Sequence, residues 1–170
     1  MSEIIQLDKV TLKKVEEIDL PLVLWFIKGI AEYEKLPHEV TATVETLRES
    51  FFGENPVVRG YIGYLGELPV ASLIYFYNFS TFLGKKGMYL EDIFVLPEHR
   101  GKGIGKEMLI WLAGRANAEG CERFEWSVLN WNTPAIEFYK SLGATPMDGW
   151  TVFRLTGDEL KKFAPDAERK

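Results

Sequence analysis

Cysteine occurs once, at Cys121, which excludes an internal disulfide and suits a reducing compartment such as the cytoplasm. Histidine occurs twice, at His38 and His99, and with a single cysteine it makes no metal set of familiar spacing. The longest apolar run, Leu20 to Ile27 with Pro21 counted, is eight residues and far too short to cross a bilayer. No charged-then-apolar leader is read at the start. Basic side chains are the minority, 20 against 25 acidic, for a net charge of −5. That balance argues against nucleic acid as a partner and tolerates a cationic substrate. No repeat, linker or low-complexity segment interrupts the chain. What remains is ordinary for a globular protein: 46% apolar and 26% charged over 170 residues, enough for one domain, residues 1–170, with a substantial core.

Taken in order, Ile4 to Leu12 reads as an opening strand. Asp19 is placed to cap an apolar helix, with Pro21 in its first turn and Leu22, Trp25, Phe26, Ile30 and Tyr33 at helical spacing. Thr43 to Phe52 is a second helix. Val57–Leu65 and Leu68–Phe76 read as strands joined at Gly66-Glu67, and Tyr77 to Gly87 as a loop. Met88 to Val95 is a largely buried strand stopped by Pro97, which has no N–H for a ladder. A helix follows from Ile104 to Gly120, then a strand from Phe124 to Leu129. Thr133-Pro134 opens another helix that stops at Gly143, and Trp150 to Leu155 reads as a last strand. Thr156 and Glu159 form a capping box for a closing helix, with a frayed tail from Ala164 to Lys170. Two strands followed by alternating strands and helices predict a mixed-sheet α/β or α+β domain.

The stretch that carries chemistry is the run from Met88 to Lys106. After the strand come Arg100, Gly101, Lys102, Gly103, Ile104, Gly105 and Lys106, at the start of an amphipathic helix. Glycines let backbone N–H groups turn toward a ligand, and the helix N-terminus adds partial positive charge behind them. With three cations nearby in an acidic chain, the loop is a candidate pyrophosphate site. It is not a nucleotide P-loop, because Arg100 stands where the first glycine belongs and Glu107 where Ser or Thr belongs. It is not the dinucleotide fingerprint, whose third glycine falls on Lys106. The spacing that fits is Arg-x-x-Gly-x-Gly, and the alternative is a glycine-rich turn that only starts a helix.

Asn132 to Tyr139 carries a second pattern, Asn-x-x-Ala-x-x-Phe-Tyr. Ala135 and Tyr139 are four apart and share a helical face, so the small residue leaves room for the phenol to reach past it. Standing alone, such a tyrosine reads as a core aromatic.

Together these motifs resemble the GNAT acetyltransferase superfamily. Tyr89-Leu90-Glu91-Asp92, Phe94-Val95, Trp131-Asn132, Phe138-Tyr139-Lys140, Gly143-Ala144, Gly149-Trp150 and Ala31-Glu32-Tyr33-Glu34 extend the likeness to its diamine (spermidine/spermine) and thialysine acetyltransferase family. The resemblance implies a central mixed, mostly antiparallel sheet flanked by helices, with an acetyl-CoA core at 88–143. It implies acetyl-CoA as cosubstrate, no metal, and a homodimer with acceptor sites near the subunit interface. Residue by residue, it implies that Ile93, Phe94 and Val95 hold the pantetheine arm. Gly101 to Lys106, with Arg100, would cradle the pyrophosphate (Lys102, Gly103, Ile104 and Gly105 between them). Asn132, Thr133, Pro134 and Ala135 would complete the cofactor site, and Tyr139 would be the proton donor. Tyr33, Glu34, Glu91, Glu125, Trp126, Ser127 and Asp148 match positions beside the acceptor.

Two departures bear on the acceptor. Polyamine-specific members carry an acidic residue and a tryptophan before the central strand, and Tyr77 to Gly84 has neither. The segment between Ala144 and Gly149 is also short. Both favour a smaller amine. The expected reaction is direct acetyl transfer in a ternary complex, with Glu91 taking the amine proton through water and Tyr139 returning one to the thiolate. Asp92, by strand alternation, is expected on the opposite face from Glu91. Cys121 lacks the surroundings of a nucleophile. Acetylation of a protein or peptide amine, and a non-catalytic acyl-CoA-binding module, are the competing readings.

Overall fold

A computed structural model describes residues 3–164, which divide into two compact units at Leu129/Asn130. The first unit holds a sheet whose order follows the chain, β1 (Ile4–Gln6), β2 (Thr11–Lys14), β3 (Arg59–Leu65), β4 (Leu68–Ser80), β5 (Lys85–Val95) and β6 (Phe124–Trp126). Neighbours are antiparallel except β5 and β6, which are parallel, so the sheet is mixed and mostly antiparallel as expected.

Helix α1 (Leu20–Glu34) buries Leu20, Val23, Phe26 and Ala31. Of these, Leu20, Val23 and Phe26 join Val15, Ile62, Ile74, Phe94 and Phe51 of α2 (Val44–Phe52) in a core on one sheet face. Removing a side chain of this size from water is worth about 1.5–3 kcal/mol. Helix α3 (Ile104–Ala118) packs on β4 and β5 through Met108, Leu109, Leu112 and Ala116, and its Trp111 meets Tyr61 edge-on at 4.8 Å. Its far end is fastened by Arg115, which donates to Glu3 (2.8 Å), to the Tyr61 hydroxyl (2.6 Å) and to Glu119 (2.8 Å). The second unit contains α4 (Thr133–Ser141) and α5 (Gly157–Lys161).

Six local expectations are corrected. The opening strand is a hairpin, β1 and β2, because the N–H groups of Asp8 and Lys9 turn onto the Glu107 carboxylate at 3.1 and 3.0 Å. Asp19 does not cap α1 with its side chain; that carboxylate accepts from the Glu16 N–H at 2.9 Å and closes the preceding 3-10 turn. The expected loop from Tyr77 to Gly87 is mostly strand, since β4 runs to Ser80 and pairs with β5 from Lys85. The strand at Phe124 stops at Trp126, where its pairing with β5 ends. Residues 150–155 form no strand among the described residues, and Thr156 makes no side-chain cap to α5. A β-prone pattern becomes a strand only where a partner backbone completes its ladder. The expected tail beyond Ala164 lies outside the described residues.

Helix α1 reaches the sheet closely because of Gly29. A Cβ there would stand 3.2 and 3.3 Å from the Phe94 ring, which also makes an edge-type contact with Phe26 of the same helix (6.4 Å between ring centres). Glycine costs a helix interior about 1 kcal/mol relative to alanine, so close packing offsets that cost here. Gly29→Val is expected to destabilise the fold by about 1–3 kcal/mol through overpacking. Urea denaturation with an unchanged slope and a lower midpoint would show it.

Candidate functional site

The site is built along β5. Opposite it, Ile74 pairs with Asp92 and Tyr75 with Leu90, so Glu91 is an extra residue with no partner, a β-bulge. The bulge cancels the alternation that places Glu91 and Asp92 on opposite faces. Asp92 shares the α1 face with Ile74 and Phe94, and Glu91 beside it is exposed. Asp92 therefore addresses the α1 side.

From the other direction α1 delivers Tyr33 and Glu34 at its C-terminal end. Lys35 ends the helix in the left-handed region (φ 64°), its N–H turned back to Ala31 and Glu32, and Pro37 follows. Burial pushes the Asp92 carboxyl up to about 6, and the negative charges of Glu91 and Glu34 push in the same direction. Burial raises Glu34 as well. Three carboxylates therefore act on one another across the end of α1 and the middle of β5. The charges acting on Asp92 are all negative. Such a place favours a cationic ligand.

Past the carboxylates, β5 offers its edge. Strand β6 pairs with Met88, Tyr89 and Leu90, so among the described residues Ile93, Phe94 and Val95 face no strand on that side. The glycine loop follows. Gly101 (φ 73°) and Gly103 (φ 82°) are left-handed, and α3 starts at Ile104 with Gly105 and Lys106 in its first turn. Side chains rarely adopt that backbone, so the loop aims its N–H groups in a way other residues would resist. Lys102 approaches His99 at 3.4 Å. A Cβ at Gly103 would stand 3.1 Å from Lys9 Cε, which places the Lys9 side chain across the loop. Lys9 was not legible in the sequence, where it is one lysine in a hairpin turn. The clamp of Glu107 on the turn's N–H groups is what brings it here. The Arg100 side chain leaves the loop: its Nε donates to the Val95 carbonyl at 2.9 Å, and its guanidinium lies over the rings of Tyr33 (4.5 Å) and Phe94 (5.3 Å).

The β6 candidates are already engaged. Glu125 accepts from Asn78 at 2.7 Å and pairs with Arg123 at 3.0 Å. Ser127 and the Tyr89 hydroxyl share a hydrogen bond of 2.6 Å, and Trp126 packs 5.0 Å from Phe124. The remaining candidates belong to the second unit. There Asn132 caps α4 by accepting from the Ala135 N–H at 3.4 Å, with Thr133 and Pro134 in the first turn. Tyr139 is half-buried beside Phe138, and Asp148 is exposed in the segment after α4. Burial pushes the Cys121 thiol up, which disfavours the thiolate a nucleophile needs.

The loop, the open strand edge and the cations fit a long anionic ligand carried past a carboxylate cluster. Comparison with known proteins agrees. Residues 25–144 match the model of the "Acetyltransferase (GNAT) family", a span that crosses the boundary between the two units. The "Thialysine N-epsilon-acetyltransferase" of Mus musculus is 36% identical over 164 residues, 90% of this chain and 96% of that protein. The "L-ornithine N5-acetyltransferase NATA1" of Arabidopsis thaliana is 43% identical over 98 residues, 57% of this chain and 43% of that one. Among solved structures, an integron cassette protein from the mobile metagenome of V. cholerae matches with a TM-score of 0.74 at 28% identity, covering 91% of this chain and 96% of its own.

The raised Asp92 has a consequence for stability. Its ordinary value is 3.8 and its folded value about 6, so between those pH values the folded state holds the proton more tightly than the unfolded chain. Stability therefore falls as pH rises through that window, and above it the full cost stands, on the order of 2–3 kcal/mol. Asp92→Asn removes the titration. Thermal denaturation should find the variant no more stable than wild type near pH 4 and more stable above pH 6, the gap opening between.

Proposed function

The chain belongs to the GNAT acetyltransferase family, and we propose that it transfers acetyl from acetyl-CoA to the terminal primary amine of a small molecule in a direct ternary complex. The observation that carries this reading is the carboxylate cluster formed where Glu34, at the end of α1, meets Glu91 and Asp92 of β5, the strand that leads into the cationic glycine loop. A GNAT enzyme draws its acetyl group as a thioester, so the protein must take a proton from the acceptor's ammonium, freeing its nitrogen to attack, and supply a proton to the departing sulfur.

An alkylammonium has a pKa of about 10.4, so near pH 7 roughly one amine in a few thousand is nucleophilic. Glu34, Glu91 and Asp92 attract the cation, and Glu91 takes its proton through water. Asp92, whose basicity burial has moved toward neutral pH, stands directly behind Glu91 to share that proton. Tyr139 donates the proton to sulfur, a role open to a phenol hydroxyl. Gly101 to Lys106, with Lys9 and Lys102, hold the pyrophosphate, and the backbone of Ile93 to Val95 holds the arm. The family resemblance assigns Asn132 to Ala135 to acetyl-CoA as well. A covalent acyl-enzyme has no support, given the raised Cys121 thiol.

The names of the mouse and Arabidopsis relatives specify amines at the end of an amino-acid side chain, and the absence of an acid and a tryptophan from Tyr77 to Gly84 also favours a short acceptor. Thialysine, ornithine and short diamines are the acceptors we propose. The lone Cys121 and the net charge of −5 support action in a reducing cytoplasm without nucleic acid or membrane, and no helix among the described residues is long and apolar enough to cross one. The family resemblance adds a homodimer.

Thiol release from acetyl-CoA, measured against thialysine, lysine, ornithine, short diamines, spermidine and a lysine peptide, tests the reading. Turnover is expected on a free short amine, with kcat at least about tenfold lower in Tyr139→Phe as the proton donor is lost. For wild type, kcat/KM is expected to climb with pH through about 6 as Asp92 ionises, and Asp92→Asn should flatten that limb. Turnover on the peptide alone would transfer the reading to a protein substrate. Tight acetyl-CoA binding without turnover on any amine would leave a binding module.

A further inference from the structure

Arg100 opens the glycine loop, yet its side chain does not serve the loop. It folds back along β5, with Nε on the Val95 carbonyl and the guanidinium over Tyr33 and Phe94. Both rings belong to the α1 face: Phe94 lies in the core beneath α1, and Tyr33 directly precedes Glu34 at the helix end. Helix α3, whose start the loop forms, packs through a different set of side chains against β4 and β5. The cationic charge of the loop is carried without Arg100, by Lys102, Lys106 and the Lys9 side chain laid across Gly103.

A guanidinium held this way has its face committed and its edge available. Nε is spent on Val95, the flat face meets the two rings, and the residue is exposed. The two terminal nitrogens then present the fork that matches a carboxylate, geometry a lysine cannot reproduce. Around the end of α1 there is thus one cation over Tyr33, and, from the next residue onward, the carboxylates of Glu34, Glu91 and Asp92. A molecule with a carboxylate at one end and an ammonium at the other meets opposite charge at both. A plain diamine of the same length sets its second ammonium against Arg100.

We propose that Arg100 is a specificity-determining residue of the acceptor site, whose terminal nitrogens hold the carboxylate of an amino acid while its distal amine lies at Glu91 and Asp92. This rests on the amine-acetyltransferase reading above and selects within it: side-chain amines of free amino acids over diamines.

The test compares acceptors that differ by one carboxylate, ornithine with putrescine and lysine with cadaverine, in wild type and Arg100→Gln. Wild type is expected to favour the amino acid by at least about tenfold in kcat/KM, and the variant to compress that ratio to within about threefold. The ratio is the readout because any change felt through acetyl-CoA falls equally on both members of a pair. Calorimetric titration of the same pairs, with CoA present, reads the same ratio in Kd without any turnover. A ratio unchanged by the substitution, or a wild type that prefers the diamine, overturns the proposal and leaves the transferase reading standing. Absent turnover with an amino-acid preference in binding that Arg100→Gln abolishes overturns the transferase reading and upholds the role of Arg100.

Discussion

One extra residue in β5 sets the chemistry of this molecule. Where Glu91 stands opposite nothing, the strand gains half a pleat, and Asp92 turns to the face that Phe94 also occupies. Without that bulge Asp92 would share the face of Leu90, packed beneath α3, where an ionised carboxylate has no compensation. With it, two adjacent carboxyl groups come to the end of α1, where Glu34 adds a third. Bulges re-aim side chains at the cost of local pairing, and here the cost falls in the middle of a long ladder that β4 holds on both sides of the defect.

The same strand separates charge along its length. Its middle carries carboxylates, and its end feeds a loop whose backbone and lysines are positive. The opposed regions are held apart by the extended β-structure between them. Arg100 is the one cation that crosses from the positive end toward the negative middle, and two aromatic rings hold it there rather than a carboxylate. An ion pair at that point would neutralise both partners; a ring leaves the guanidinium's charge and edge in place.

How much of this was legible in the sequence follows from the range of each signal. The loop from Arg100 to Lys106, the helix it opens and the start of α4 at Thr133-Pro134 are local patterns, and the structure carries them where spacing placed them. The bulge was not legible, since alternation along Met88 to Val95 looks unbroken until β4 supplies the register. Lys9 reaches the loop through a contact between residues 98 positions apart, which no window along the chain contains. The strand expected at Trp150 to Leu155 fails for the complementary reason. Its residues satisfy β propensity, yet strand formation is decided by a partner that propensity cannot name.

The placement of Asp92 also shows why this site resists a purely stabilising explanation. A buried carboxyl with only negative neighbours lowers stability at neutral pH, and asparagine of the same shape would relieve it. Gly29 and Gly103 carry similar costs, one in the interior of α1 and one in the loop, and each holds a functional element in a position a larger residue would spoil. Strain and unpaired charge persist where the surrounding fold over-determines them. In this chain they gather along one path, from the end of α1 through Phe94 and the bulge to the glycine loop. The rest of the core under α1, which Phe94 joins to that path, and the Arg115 clasp at the other end of α3 supply the stability that lets it remain unrelaxed.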